Sequence, residues 1–268
     1  MVFLLNMTFT DQLHRKIVIP KTPSGIVSLV PSQTELLVDL GLEASIVGVT
    51  KFCVHPSHLR KQKTVVGGTK QVHFDKIRQL KPDIIICNKE ENTQEMVAAL
   101  EAIAPVWVSD VKDIEDVLQM IQYFGELFSV ETRAKKLISR IKTEHSLFNG
   151  AVKQTPELNV AYLIWKDPYM AAGSDNFINT LLTLNKFQNI FNKSNNRYPE
   201  ISVEQLQAAD LILLSSEPYP FQQKHIDELS QTLGNKKILL VDGEYFSWYG
   251  SRLIIAFEYF KSLQKTIH

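Results

Sequence analysis

Val130-Glu131-Thr132-Arg133-Ala134-Lys135-Lys136-Leu137-Ile138-Ser139-Arg140-Ile141-Lys142-Thr143-Glu144-His145-Ser146-Leu147-Phe148-Asn149-Gly150 is the stretch whose reading decides the fold. Ala134, Leu137, Ile138, Ile141, His145 and either Leu147 or Phe148 fall near one stripe at helical spacing, with charged residues elsewhere, so the segment predicts one long amphipathic helix. Gly150 is its stop. Roughly nineteen helical residues at ~1.5 Å each reach about 28 Å, the width of a small lobe, so one helix is long enough to join two of them.

On either side the chain alternates short β-branched runs with helical stretches, which is the pattern of α/β units. Before the helix come strands at Ile26 to Val30, Ile46 to Val49, Thr64 to Val66, Asp83 to Cys87 and Val106 to Val108. Helices lie at Thr34 to Leu42, from about Phe74 to Leu80 and from about Gln94 to Ile103. Ser32 and Glu35 have capping-box spacing at the entry to the first of these helices. After Gly150 come strands at Asn159 to Trp165, Leu211 to Leu214 and Lys237 to Val241, with helices from about Asn176, His225 and Ser251. The predicted organisation is an N-terminal α/β lobe (1–129), a linking helix (130–150) and a C-terminal α/β lobe (151–268). An internal echo supports it: Phe74-Asp75-Lys76-Ile77 leads into Asp83-Ile84-Ile85-Ile86, and Val203-Glu204-Gln205-Leu206 leads into Asp210-Leu211-Ile212-Leu213.

Composition narrows function by exclusion. The 268 residues are 44% hydrophobic and 22% charged, enough for two modest cores, and the 29 basic residues balance 29 acidic ones. A formal net charge of +0 provides no long-range field to gather nucleic acid or an anionic membrane. The two cysteines are too few for a disulfide framework, and Cys87 ends an apolar run that reads as a buried strand. Met1 to Leu5 is too short for a secretory signal, and no cysteine follows to carry a lipid. As written the chain reads as soluble and cytoplasmic, or periplasmic if a leader is missing.

Candidate chemistry is sparse. G-x-S-x-G, H-E-x-x-H and G-x-G-x-x-G are absent, and Gly67-Gly68-Thr69-Lys70 lacks P-loop spacing. Cys53, His55 and His58 are close in sequence, with His73 further on, but a structural zinc site needs a second ligand pair that the chain does not supply. No metal site is expected. Asn88-Lys89-Glu90-Glu91-Asn92 follows a buried strand, at the rim where α/β sheets bind ligands. Asp242-Gly243-Glu244-Tyr245-Phe246-Ser247-Trp248-Tyr249-Gly250-Ser251-Arg252 packs four aromatics and an arginine behind a strand, a composition suited to a flat conjugated ligand.

These residues, with Ser28-Leu29-Val30-Pro31-Ser32-Gln33-Thr34-Glu35-Leu36, Val47-Gly48-Val49, Leu80-Lys81-Pro82-Asp83, Asn189-Ile190-Phe191, Pro199 and Ser202 to Leu206, carry a likeness over Ile26 to about Leu263. The sequence resembles the class III periplasmic binding proteins, the helical-backbone metal receptors, nearest their cobalamin-binding branch. The resemblance implies two α/β lobes on one backbone helix with a ligand cleft between them, no catalysis, and a monomer that binds a metal chelate and hands it to an ABC permease. It places Phe52, Thr69, Lys70, Trp165, Tyr198, Phe246 and Arg252 on the cleft, and the residue reading adds Trp248 and Tyr249. It also places one permease-docking acid on each lobe, Asp75 and Glu204. Where cobalamin-binding relatives set a tryptophan against the corrin, this chain has Thr69. A ferric siderophore or haem carrier is the second expectation, and an enzyme or cofactor-assembly scaffold using Cys53 or His55 is the third.

Overall fold

The computed structural model describes residues 7–268, which divide into two compact units. The first takes the chain up to Val111, together with Glu115–Ile141 and Tyr249–Arg252. It opens on an antiparallel hairpin, β1 (Met7–Thr10) with β2 (Lys16–Ile19). Then follow β3 (Ile26–Ser28), α1 (Pro31–Asp39), β4 (Ile46–Val49), α2 (Leu59–Gln62), β5 (Thr64–Val65), α3 (Phe74–Leu80), β6 (Ile84–Asn88), α4 (Gln94–Glu101), β7 (Val106–Ser109) and α5 (Ile114–Leu127). The five later strands form one parallel sheet in the order β5-β4-β3-β6-β7. Parallel sheets are covered on both faces, and β6 and β7 are accordingly buried at every position.

The hairpin has a task at the sheet's end. Its turn residue Asp11 accepts the Val108 backbone N–H at 3.1 Å, and Arg15 Nη2 donates to the Val106 carbonyl at 2.9 Å. Side chains thereby occupy backbone groups that an edge strand would otherwise leave open.

α6 (Glu131–Ala151) is one continuous helix, close to the expected span, but Gly150 lies inside it and is not its stop. The division between units falls inside it, after Ile141, and not at its ends. Lys112–Ile114 counts with the second unit and Tyr249–Arg252 with the first. Of the two candidates for the last position of the apolar stripe, Phe148 is buried and Leu147 is exposed.

The second unit holds β8 (Leu158–Trp165), β9 (Met170–Ala171), α7 (Phe177–Leu184), β10 (Phe187–Asn189), β11 (Leu211–Ser215), α8 (Gln223–Leu233), β12 (Lys237–Val241), α9 (Glu244–Ser247) and α10 (Leu253–Ile267). Its sheet runs β10-β8-β11-β12, all parallel, with β9 antiparallel on β8. Phe246, Phe257 and Phe260 are fully buried here with Phe148 and Tyr162.

The internal echo has a structural basis. Asp83, just before β6, accepts from the backbone N–H of Ser24 and of Gly25, each at 2.9 Å, at the start of the neighbouring β3. Asp210, just before β11, accepts from Asn159 N at 2.8 Å at the start of neighbouring β8. In each unit an acid ties the amino end of a central strand to its neighbour.

One local expectation is corrected. The Ser32–Glu35 capping box does not form: the N-cap of α1 is Val30 without a side-chain cap, and Pro31 sits at the first helical position. Proline has no N–H to satisfy and its φ suits a helix start, so Ser32 is buried and Glu35 is left for another partner. A capping box does form on α8, between Gln222 and His225.

Candidate ligand-binding rims

In the first unit, loops at the carboxyl ends of β4, β5 and β6 build a polar rim. Asn88, the last residue of β6, accepts from Glu90 N at 2.7 Å and Glu91 N at 2.8 Å, and its own N–H goes to Asn92 Oδ1 at 2.9 Å. Asn92 Nδ2 in turn donates to the Thr69 carbonyl at 2.8 Å, and the Lys70 ammonium donates to the Glu90 carbonyl. The 88–92 segment read as rim from sequence is thus an ordered turn that holds the Thr69–Lys70 loop. Gly67, at φ +128, turns the chain where an added Cβ would lie 2.6 Å from the Gln71 carbonyl oxygen.

Phe52 stands out on this rim. Its ring is 48% exposed, with the Lys51 ammonium 5.0 Å from its centroid. The neighbouring Cys53 is buried, within 3.2 Å of Thr34 Oγ1 and 3.3 Å of Thr50 Oγ1, and burial holds its thiol above the ordinary range against those hydrogen bonds. A protonated, enclosed thiol is a poor nucleophile and a poor metal ligand. Cys87 is likewise a core residue, as expected, with its thiol pushed up by burial. His58 contacts Glu43 at 2.8 Å, and among the described residues no group of three or more His, Cys, Asp or Glu side chains could hold a metal ion.

The second unit also exposes an aromatic side chain. Trp165 ends β8 and is 41% exposed, its ring centroid 5.7 Å from that of Tyr219 in an edge arrangement. Tyr219 is braced from behind by His225, with the phenol oxygen 3.3 Å from Nε2. His225 Nδ1 accepts the Gln222 backbone N–H at 2.8 Å, so the proton of the neutral ring is on Nε2 and points at the phenol. Desolvation, with the charge of Lys224, keeps His225 below the ordinary histidine range. Tyr198 lies half-buried on a separate loop after β10, its N–H on Asn196 Oδ1 at 3.1 Å.

The aromatic run 245–249 does not have the open placement read from its composition. Phe246 is fully buried, 5.0 Å from Tyr162 and 4.8 Å from Phe260 by ring centroids. Tyr245 stacks on Tyr259 at 4.5 Å. Trp248 is buried, and its indole N–H reaches Glu217 Oε1 at 3.0 Å, an oxygen that Ser247 Oγ also reaches at 2.6 Å. Tyr249 is buried in the first unit, where its hydroxyl receives Gln33 Nε2 at 3.0 Å and the Asn88 amide. The physical reason is α9: its single turn directs these rings onto neighbouring core side chains.

Arg252 is also corrected. Only 5% exposed, it makes a two-pronged pair with Glu35, Nε to Oε2 at 2.8 Å and Nη2 to Oε1 at 2.9 Å. Its charge is matched by the glutamate freed from the missing capping box. Between Tyr249 and Arg252 lies Gly250 at φ +98, whose added Cβ would meet the Leu36 Cβ at 3.3 Å.

Asp75, in the first turn of α3, is exposed and pairs with Arg78 at 2.7 Å. Glu204 opens a short 3₁₀ turn, is also exposed, and has its carboxyl held below the usual range by the Ser202 hydroxyl. Sequence reading missed Lys51, Tyr219, Glu217 and His225. A lysine beside an aromatic behind a strand was the signal available for the first, and the other three carry none that spacing reveals.

With this geometry in view, the comparison with known proteins is informative. Residues 26–238 match the periplasmic binding protein family. The chain belongs to that family. An uncharacterized ABC transporter substrate-binding lipoprotein of Bacillus subtilis is 28% identical over 66% of this chain, which spans 59% of that relative. The vitamin B12-binding protein of Photorhabdus laumondii is 23% identical, with 88% of this chain and 86% of the relative covered. Two solved structures share the fold at TM-score 0.79 and 18% identity, each covering 91% of this chain and 98% of the other: the vitamin B12 binding protein BtuF of Vibrio cholerae and the heme-binding protein RhuT of Roseiflexus sp. RS-1. Among the described residues no helix of this family member is long and apolar enough to cross a membrane.

Proposed function

We propose that the protein is the solute-binding component of an ABC importer and that its solute is a metal chelate with a flat conjugated ring, a corrinoid foremost. The observation that carries the reading is the pair Phe52 and Trp165. In each unit one large aromatic side chain stands exposed at the carboxyl end of a parallel strand, while Phe246, Trp248 and Tyr249 are buried. Aromatic surface left in water at the rim of an α/β sheet is unfavourable unless a ligand covers it. The B12-binding relatives and the shared fold support the corrinoid. Thr69, standing where cobalamin-binding relatives have tryptophan, favours keeping haem or a ferric siderophore as the second reading.

Isothermal titration with cyanocobalamin and with cobinamide tests the proposal, and a panel of ferric chelates followed by tryptophan quenching separates the second reading. Absence of heat and of thermal shift at saturating ligand sinks the corrinoid. A role in binding accords with Cys53 being enclosed, its thiol held above the ordinary range by burial, which makes it a poor nucleophile. We place its work outside the cytoplasmic membrane, in keeping with the family and with a lipoprotein relative, and against the cytoplasmic expectation; fractionation of cells making the native gene product checks this. Asp75 and Glu204 remain the proposed contacts to the permease, because both are exposed acids on short helical turns that precede central strands.

A further inference from the structure

The rim of the first unit gathers positive charge around Phe52. Lys51 and Gly67 are joined by a hydrogen bond, Lys51 N to Gly67 O at 2.8 Å, and a Cβ on Gly68 would lie 3.3 Å from Phe52 Cε2 and 3.6 Å from Lys51 Cε. The loop carrying Lys70 therefore packs on the Lys51–Phe52 pair. Arg60 joins them, its Nη1 donating to the Lys51 carbonyl at 2.9 Å.

Several cations of the same unit are ion-paired, while Lys76 and Arg133, away from the ring, donate to backbone carbonyls. Lys89 pairs with Asp110, Arg78 with Asp75 and Arg252 with Glu35. Lys51, Arg60 and Lys70 are exposed, and each is positioned by a ring or a backbone carbonyl, with no carboxylate pairing among the described residues. Two acids, Glu90 and Glu91, lie on the same rim, and their charge helps hold the buried Tyr249 hydroxyl above its ordinary range, with Glu91 adding to the rise at the Cys53 thiol. Three unmatched cations beside an exposed ring form a surface that a ligand can complete with negative charge and a conjugated face.

We infer that this rim is an anion subsite, with Phe52 taking the flat ring of the chelate while Lys51, Lys70 and Arg60 receive a carboxylate or phosphate substituent on it. The inference rests on the chelate-binding reading and adds that the chelate carries an anionic substituent. The two sources of that chemistry are a tetrapyrrole with propionate side chains and a corrinoid with a phosphodiester.

The test uses the full chain and three probes: ferric protoporphyrin IX, with two carboxylates, cyanocobalamin, with one phosphodiester, and dicyanocobinamide, with neither. A Lys51→Gln/Lys70→Gln double variant is compared with wild type and with Lys51→Arg/Lys70→Arg, which keeps the charge. The double glutamine variant should lose tenfold or more in affinity for whichever anionic probe the wild type binds and less than twofold for cobinamide. The arginine variant should retain at least half the wild-type affinity. Raising salt should weaken anionic binding in the wild type and leave the glutamine variant nearly flat. Because both lysines are exposed, melting temperature serves as the control for folding. Equal binding of the anionic probes by wild type and glutamine variant overturns the inference, as does equal loss of all three probes or a wild type that binds cobinamide alone. If the wild type binds none of the three, the corrinoid and haem readings fall and take this inference with them.

Discussion

Two aromatic regions of this chain contrast sharply: the crowded stretch 245–249, and the isolated pair Phe52 and Trp165. The crowded stretch looks like a binding loop in sequence and is interior in the structure, because a single helical turn delivers Phe246 onto Tyr162 and Phe260 and Trp248 onto Glu217. The isolated residues are inconspicuous in sequence and are the exposed ones. Aromatic density in a loop therefore reports packing as readily as recognition. Exposure at a strand's carboxyl end discriminates better.

The strongest test of that contrast is Phe246→Ala. It should cost about 3–5 kcal/mol of stability, the range for emptying a buried phenylalanine site, read by urea denaturation. Affinity of the folded fraction should be unchanged. Trp248→Ala should likewise lower the melting temperature, since it removes a buried ring and a donor to Glu217. A Trp248 variant that melts like wild type but binds weakly would return that residue to the rim.

The complementary substitutions, Trp165→Ala and Phe52→Ala, should weaken ligand binding by about 1–3 kcal/mol each, the scale of an aromatic contact at a binding site. Stability should scarcely move. A large stability loss with unchanged titration would reverse the assignment of the two regions.

Glu217 sharpens the comparison through pH. Burial raises its carboxyl above the ordinary range, opposed by the hydrogen bond from Ser247, with nearby Glu244 adding to the rise. A group whose folded pKa is raised contributes stability below its unfolded pKa and loses it as pH rises through the folded value. Glu217→Gln, which keeps an acceptor for Ser247 and Trp248, should therefore gain on wild type between pH 5 and pH 8, a window above the ordinary carboxylate range, with the gain vanishing near pH 4. Thermal melts across that range decide it, and a gain independent of pH would remove the charge argument. The smallest effects belong to Asp75→Ala and Glu204→Ala, which should leave both melting and ligand binding near wild type and slow capture by permease vesicles, most visibly at low salt.

Much of the architecture was legible because it rests on periodicity. The linking helix, the buried strands β6 and β11 and the α8 start all follow from apolar spacing. The β1–β2 hairpin and α5 were not assigned. The hairpin's four-residue strands are too short for alternation to stand out, and its anchoring by Asp11 and Arg15 to β7 spans about ninety residues of sequence. The site was less legible for the same reason. Glu35 and Arg252 each gave a local signal, a capping box and an arginine closing an aromatic loop, and the two residues instead pair across 217 positions. Phe52 came to notice only through the family resemblance, since a single phenylalanine after a strand carries no local signal of exposure.

That long-range pairing bears on biosynthesis. Until residues 249–252 are made, Glu35, Gln33 and Asn88 lack their partners Arg252 and Tyr249. Leaving buried polar groups unmatched is costly, so the amino-terminal unit is finished only when four residues from the last tenth of the message arrive.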